Sequence, residues 1–395
     1  MSRKITDSAT FCPLMWLGAT RHNDDLYLPC CQYSFEPNDG NTHWGDGLET
    51  NIKTFDQDRK LMSQGFKPES CSNCWHNESV GIDSLRNEVM AMDWWRPFQS
   101  DINELTGPDG SFRQTPVYID LRLGNKCNLG CRMCLPEFSS VLAKEVENNK
   151  DKFDYFTDYG YSLYVSQSQT DIDRVFKIIM SMEGLVKLQF TGGEPLLNHQ
   201  LSDLLDHFVD QGVADKIIIA ITTNLTTVSQ ALLDKFKRFH SLDLSISMEG
   251  VGEVYEYIRY PAKWSKIQKN FDTLMQMNLD VTVVYTGTAL SILGFPDWLK
   301  WVHERQVKWN YNPVIQPKFL SINQIPEPLK PDLIARLIRC KEFSKHPESI
   351  DGVIAMLKKP QDQSLWELLV KDTVTKDSIR QQSIHKSVPK LAVFM

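Results

Sequence analysis

Short apolar segments alternate with helical segments through the middle of the chain, and this alternation limits the possible folds more than any other feature. The apolar segments are five to eight residues long, which is typical of strands buried in a parallel sheet. They are Val117–Leu123, Val186–Phe190, Lys216–Ile221, Leu242–Ser247, Val281–Tyr285 and Val307–Val314. Helical periodicity covers residues 171–182, 196–211, 226–239, 261–278 and 295–305. Six strands alternating with helices predict an α/β fold with a parallel sheet, either open or curled into a partial barrel.

The regions on either side of this central part have a different composition. Residues 1–112 contain five of the nine cysteines together with several turn sequences, and they end near the loop Gly107–Gly110. Residues 326–395 begin with three closely spaced prolines and continue with helical periodicity. We therefore predict a cysteine-rich domain at 1–112, the barrel at 113–325 and a mostly helical extension at 326–395.

Composition disfavours several classes of protein. The chain has 395 residues and a net charge of −7, and it has no dense run of Lys or Arg, which disfavours a nucleic-acid partner. No apolar run approaches the roughly 18 residues of a membrane-spanning helix. The amino-terminal residues lack the apolar core of a signal peptide. We expect a cytoplasmic protein without a membrane partner.

Three cysteines, Cys127, Cys131 and Cys134, lie within eight residues directly after the first strand. Their spacing could place them on one face of a helix as ordinary core thiols. However, the neighbouring Gly124 and Gly130 are each unfavourable in a helix interior by about 1 kcal/mol relative to Ala, which favours a loop. An odd number of cysteines in a reducing compartment indicates metal binding rather than disulfides. Thiolates suit an iron–sulfur cluster or zinc, and the spacing alone leaves both open.

The pattern Cys127-x3-Cys131-x2-Cys134 after the first strand resembles the signature of the radical S-adenosylmethionine (SAM) superfamily. The resemblance implies a partial (β/α)6 TIM-like barrel in which these cysteines hold a 4Fe–4S cluster and SAM binds the fourth iron. It also implies reductive cleavage of SAM to methionine and a 5′-deoxyadenosyl radical, which abstracts hydrogen from a substrate. Met133 stands where the family often has an aromatic residue, and its contact with the cofactors is expected to be through backbone.

A second motif, Gly192-Gly193-Glu194-Pro195, follows the second strand. Taken alone it could be a tight turn before a helix. In this position it resembles the radical SAM motif that holds the amino group of SAM. The resemblance further implies that Asn224, Ser245 and Ser247 line the ribose and methionine side of SAM, and that Arg259 meets its carboxylate. Each of these residues has a structural alternative. Asn224 could cap the next helix, the two serines could hydrogen-bond the backbone, and Arg259 could be a surface charge.

The remaining cysteine positions upstream of the barrel suggest a second metal centre. Cys12, Cys30 or Cys31, and the Cys71-x2-Cys74 pair supply four thiolates, enough for zinc or for a complete cubane cluster. The stretch from Cys71 to Arg86 resembles the auxiliary-cluster modules called SPASM and twitch, although those modules usually follow the barrel. We expect an auxiliary 4Fe–4S cluster that either accepts an electron from a substrate radical or orders a loop-rich domain with little core of its own.

The predicted function is that of a radical SAM enzyme acting on a peptide or a small metabolite. An electron donor such as flavodoxin or ferredoxin would be its partner. Two alternatives stay open: a non-catalytic zinc-binding scaffold, and a radical SAM enzyme acting on a nucleotide or RNA. An ordinary methyltransferase on a Rossmann-like sheet has no use for the cysteine triplet. The sequence does not identify the substrate.

Overall fold

The computed structural model describes residues 4–21, 27–34, 55–155, 179–180, 182, 184–277, 279–314 and 316–395. Its strands form one eight-stranded sheet in the order β2-β1-β3-β4-β5-β6-β7-β8. The strands are β1 (Gly18–Arg21), β2 (Tyr27–Leu28), β3 (Tyr118–Arg122), β4 (Lys187–Thr191), β5 (Ile218–Thr223), β6 (Ser241–Ser247), β7 (Asp280–Gly287) and β8 (Lys308–Pro313).

All six predicted strands are present as β3 to β8, and each pairs in parallel with the next. Burial alternates strictly along β7, where Val281, Val283 and Tyr285 are buried and the residues between them are half-buried. Both faces of a parallel sheet are covered, and here the fully buried face packs against helices. The half-buried face therefore forms the interior of the partial barrel.

The described part of the chain has seven parallel strands, one more than the six predicted from the sequence. β1 pairs in parallel with β3, with Gly18 opposite Tyr118, and β2 adds an antiparallel edge strand. The sequence Gly-Ala-Thr-Arg is too short to show strand periodicity, so only its distant partner reveals it. The sheet thus continues across the domain boundary predicted at residues 112 and 113, and that boundary stays a prediction.

The helices of the central region connect successive strands, and the carboxyl-terminal region is helical as predicted. None of the described helices is both long and apolar enough to span a membrane. The predicted helix at 171–182 falls mostly outside the described residues. The helices are α1 (Pro13–Leu17), α2 (Asp56–Ser63), α3 (Ser72–Ser79), α4 (Leu85–Ala91), α5 (Gln99–Leu105), α6 (Ser140–Glu147), α7 (His199–Asp210), α8 (Gln230–Phe236), α9 (Gly252–Ile258), α10 (Trp264–Met275), α11 (Phe295–Glu304), α12 (Lys330–Cys340), α13 (Pro347–Leu357), α14 (Gln363–Arg380), α15 (Ile384–Ser387) and α16 (Pro389–Ala392).

The amino-terminal region has a hydrophobic core of its own, contrary to the expectation of little core there. Trp16, Trp75, Trp94 and Trp95 are each less than 9% exposed and belong to one cluster with apolar residues of α1, α2, α4 and α5. Large aromatic side chains bury much area each, so few residues suffice to build this core. A larger, separate cluster lies between the sheet, its covering helices and the carboxyl-terminal extension.

Candidate functional site

The three central cysteines lie on the loop between β3 and α6, at the edge of the sheet where parallel strands end. Cys131 is buried, whereas Cys127 and Cys134 are half-buried. Burial raises the pKa of Cys131 to about 11. Burial also raises the pKa of Cys134, and the Cys131 and Cys127 thiols add to that rise. These mutual effects indicate that the three thiols are close neighbours.

This donor set fits an iron–sulfur cluster chemically. Thiols with a raised pKa are neutral at pH 7 and lose the proton when a metal takes its place. Among the described residues, no three His, Cys, Asp or Glu side chains have the spacing that a single metal ion requires. The fit therefore depends on the number and kind of donors, three soft sulfur ligands on one loop.

Backbone hydrogen bonds hold this cysteine loop against the turn that follows α9. The Gly130 amide donates to the Tyr260 carbonyl at 2.7 Å, and the Arg132 amide donates to the Ile258 carbonyl at 2.9 Å. At the other end of the loop, the Cys127 amide donates to the Ser140 hydroxyl at 3.1 Å. The thiols are thus presented by a loop that is fixed at both ends.

The Gly-Gly-Glu motif packs directly on the cysteine loop. Gly192 and Gly193 have φ angles of +75° and +56°, which side-chain-bearing residues rarely adopt. A Cβ atom on Gly193 would lie 2.5 Å from the Lys126 carbonyl oxygen. The Glu194 amide donates to that same oxygen at 2.8 Å. Glycine is therefore required for the close approach of the two loops.

Glu194 ties together the ends of β4 and β5. Its carboxylate is 2% exposed and accepts hydrogen bonds from the Thr223 hydroxyl at 2.7 Å and from the amides of Asn224 at 2.6 Å and Leu196 at 3.1 Å. Burial raises the pKa of Glu194, although these hydrogen bonds oppose the rise. The turn interpretation is thus correct as far as local structure goes, and contact with SAM stays a prediction.

Asn224 joins the end of β5 to the cysteine loop. Its amide nitrogen donates to Asn128 Oδ1 at 3.1 Å and lies 3.8 Å from Cys127 Sγ. Its Oδ1 accepts from the backbone and hydroxyl of Thr226, whose hydroxyl oxygen also accepts from Asn128 Nδ2 at 2.8 Å. Asn128 and Thr226 were not singled out from the sequence, because their role depends on a contact between distant segments.

Ser245 and Ser247 lie on the interior face of the barrel. Both are half-buried and alternate with the buried Leu244 and Ile246 on β6. Ser245 lies opposite Thr222 and Thr282 on the neighbouring strands, so polar groups continue along this face. Of the other predicted cofactor residues, Met133 is partly buried and packs against the main core.

Arg259 is paired with an acidic residue that the sequence analysis missed. Its guanidinium binds both carboxylate oxygens of Glu249, which is fully buried, with one nitrogen–oxygen distance of 2.7 Å. The remaining Nη1 lies 3.7 Å from Cys131 Sγ. Glu249 follows β6 at the sheet edge where the other motifs lie. This position after a strand could have identified it as a candidate site residue. Arg259 thus lies beside the cysteine loop, with its charge balanced by Glu249.

Four of the amino-terminal cysteines line one small cavity: Cys12, Cys30, Cys71 and Cys74. Burial raises the pKa of Cys12 to about 12, and the Cys74 thiol adds to the rise. Burial likewise raises the pKa of Cys30, with contributions from Cys31 and from the other three thiols of the cavity. Cys31 is not among the residues that line this cavity.

Cys31 instead lies near the barrel strand β3. Burial raises its pKa to about 12, and the next largest cause is the carboxylate of Asp120. Asp120 is fully buried, accepts a hydrogen bond from the Thr191 hydroxyl at 2.6 Å, and has its own pKa raised to about 6 by burial. Asp120 was not predicted as a site residue, because a single Asp within an apolar strand forms no sequence motif.

The stretch from Cys71 to Arg86 is held together by one carboxylate. Glu78 accepts hydrogen bonds from the Ser84 hydroxyl at 2.6 Å and from two nitrogens of Arg86 at 2.9 Å. Arg86 also lies over the Trp75 ring, 5.0 Å from its centroid, and donates to the Phe11 carbonyl at 3.1 Å. These contacts bring the segment of Cys12 beside the segment of Cys71 and Cys74.

Comparison with known proteins supports the resemblance for the central region: residues 121–297 match the model of the Radical SAM superfamily. An uncharacterised protein of Methanocaldococcus jannaschii is 26% identical over 185 residues, which cover 45% of this chain and 55% of that protein. The GTP 3′,8-cyclase of Clostridium acetobutylicum is 26% identical over 170 residues, covering 43% and 46%. The chain thus spans about half the length of these curated relatives.

Two solved structures that match this chain are anSMEcpe with bound AdoMet and Streptococcus suis SuiB bound to S-adenosylmethionine. The first has a TM-score of 0.40 and 17% identity, and the match covers 57% of this chain and 59% of that one. The second has a TM-score of 0.42 and 11% identity, covering 73% and 63%.

Proposed function

We propose, from the match of residues 121–297 to the Radical SAM superfamily model, that this chain is a radical SAM enzyme. The observation that carries the proposal is the junction of the two motifs. The cysteine loop after β3 and the Gly192–Glu194 turn after β4 are bonded through the Lys126 carbonyl oxygen. When bound, a 4Fe–4S cluster and SAM would supply a 5′-deoxyadenosyl radical that abstracts hydrogen from a substrate.

The residues of the chain would bind and orient these groups. Cys127, Cys131 and Cys134 would hold the cluster, since they are the thiols of the loop. Gly192 and Gly193 would present backbone groups to SAM, and Glu194 would accept a hydrogen bond from the SAM ammonium. Asn224, Ser245, Ser247, Arg259 and Met133 would contribute to the same pocket.

Glu194→Gln is expected to weaken SAM binding by about tenfold or more, as expected when a charge-assisted hydrogen bond is lost. Glutamine keeps the size of the side chain and the acceptor oxygen that the Thr223 hydroxyl uses, whereas its NH2 group replaces the oxygen that accepts from the Asn224 amide. No cysteine ligand is changed. The iron content should therefore stay near that of the parent protein. Binding can be measured by equilibrium dialysis with labelled SAM.

The matched control is Glu304→Gln, because Glu304 is an exposed acid at the end of α11, on the covering helices. This control variant should bind SAM as the parent does. If Glu194→Gln leaves SAM affinity unchanged, the Gly-Gly-Glu motif has only its structural role.

We further propose that Cys12, Cys30, Cys71 and Cys74 bind the auxiliary cluster. Four thiols around one cavity complete the ligand set of a cubane cluster, so no iron would be open for SAM. Zinc also takes four thiolates as ligands, and metal analysis separates the two. Cys30 rather than Cys31 is the fourth ligand in this assignment, because Cys30 lines the cavity.

Cys30→Ser and Cys31→Ser form a matched pair that tests this assignment. Cys30→Ser should lower the iron content by about four atoms per chain, the content of one cubane. Cys31→Ser should leave the iron content unchanged. The measurement is iron and zinc analysis of anaerobically purified protein. Equal loss in both variants, or zinc in place of iron, contradicts the assignment.

A peptide or a small metabolite is the proposed substrate, and flavodoxin or ferredoxin the proposed electron donor. One observation favours the nucleotide alternative: several similar proteins are GTP 3′,8-cyclases, enzymes whose name gives a nucleotide as substrate. Another similar protein is named a radical SAM cyclopropyl synthase, at 27% identity over 124 residues. The zinc-scaffold alternative predicts colourless protein, whereas iron–sulfur protein is brown after anaerobic purification.

A further inference from the structure

The amino-terminal region and the carboxyl-terminal extension meet beside the barrel. Gly352 of α13 packs against the turn after α3 so closely that a Cβ atom there would lie 2.5 Å from Ile82 Cγ1 and 3.1 Å from the Gly81 carbonyl oxygen. Helix α3 begins directly after Cys71, and its buried face carries Cys74 and Trp75. This contact therefore places the amino-terminal cysteine helix beside the carboxyl-terminal extension.

A cavity of about 610 Å³ lies at this junction. One wall is the outer face of α3, with Asn73, His76 and Asn77, which recur at helical spacing. The cavity is also lined by Pro313 and Val314, where β8 ends. The cavity thus opens at the edge of the sheet where the strands end, and it is large enough for a small ligand.

The charged groups around this cavity are mainly cationic. Lys359 Nζ lies 3.4 Å from His76 Nε2 and can donate a hydrogen bond to it. Lys318 also lines the cavity. Among the described residues, neither lysine forms an ion pair with a carboxylate. The one acid in the described lining, Asp362, is engaged at the start of α14, where it accepts from the amides of Ser364 and Leu365.

We propose that this cavity binds an anionic group, a carboxylate or a phosphate, at Lys359 and Lys318. The Lys359 ammonium has three N–H donors, of which His76 Nε2 takes one, so two remain for an anion whose charge would balance that of both lysines. The amide side chains of Asn73 and Asn77 would hydrogen-bond the neutral part of such a ligand. The inference that this ligand is the substrate rests on the proposed function, whereas the inference of an anion site does not.

Lys359→Gln is expected to weaken anion binding by about tenfold, the loss expected for one charge-assisted hydrogen bond. The probes are inorganic pyrophosphate and succinate, each titrated calorimetrically into the full chain at low salt. Binding of pyrophosphate indicates a phosphate ligand and binding of succinate a carboxylate ligand. Lys318→Gln should weaken binding of the same probe, because Lys318 also lines the cavity.

The matched control is Lys358→Gln, because Lys358 is the exposed neighbour of Lys359 and does not line the cavity. This variant should bind the probes as the parent does. Failure of both probes to bind, or equal loss in the Lys358 and Lys359 variants, overturns the proposal. Cleavage of SAM without substrate should be unchanged in Lys359→Gln. If the parent protein does not cleave SAM, the proposed function is wrong. The anion site is then still tested by the titrations.

Discussion

Replacing Cys127, Cys131 and Cys134 together with Ala is expected to abolish reductive cleavage of SAM. The three thiols are the soft donors of the loop that follows β3, and without them the chain has no means of holding a cluster beside the Gly192–Glu194 turn. The measurement is 5′-deoxyadenosine formed under dithionite. About four irons should remain in this variant, as expected for one auxiliary cubane.

Cys340→Ala is the matched control, because Cys340 is a buried thiol of α12 in the carboxyl-terminal extension. It should leave both iron content and SAM cleavage near the parent values. The spectrum of the iron that remains in the triple variant should not change when SAM is added. Formation of 5′-deoxyadenosine by the triple variant would show that the cluster assignment is wrong.

The main elements of the fold are encoded locally and could be predicted. Each strand from β3 to β8 is a short apolar run, and the helices between them carry their own periodicity, so no long-range information was needed. β1 is different, because its four residues become a strand only through pairing with β3, about a hundred residues away. The core of the amino-terminal region was missed since its tryptophans are scattered along the sequence.

The candidate site was predictable to the extent that its residues form motifs. The cysteine triplet and the Gly-Gly-Glu turn are local patterns. Glu249 and Asp120 are single acids, whose relation to the site depends on which face of a strand end they occupy. Cys30 and Cys31 are adjacent in sequence, so only the backbone path shows that Cys30 lines the cavity and Cys31 lies near Asp120.

The carboxyl-terminal helix α14 holds the cysteine loop, a role that no sequence pattern indicated. Arg132, between two of the cysteines, is 1% exposed and forms an ion pair with Asp377 of α14. Its Nε donates to the Tyr257 carbonyl at 3.0 Å. Lys376 of the same helix donates to the Arg132 carbonyl at 3.3 Å. The cysteine loop is thus linked to a helix that lies some 245 residues further along the chain.

Asp377→Ala is expected to lower the free energy of unfolding by about 3–5 kcal/mol, since breaking a buried ion pair leaves the partner charge uncompensated. Asp377 also accepts from the Ile384 amide at 2.7 Å, so the variant loses that bond as well. The measurement is urea unfolding of anaerobically purified protein, together with its iron content. Because Arg132 belongs to the cysteine loop, iron should be lost at a lower urea concentration than in the parent.

Glu367→Ala is the control on the same helix, because Glu367 is exposed and its hydrogen bond is to Gln363 at the surface. Surface substitutions usually change stability by at most about 0.5 kcal/mol, so this variant should unfold with the parent. If Asp377→Ala also unfolds with the parent, α14 does not stabilise the cysteine loop. If stability falls while iron is retained up to global unfolding, the ion pair stabilises the fold but does not hold the cluster site.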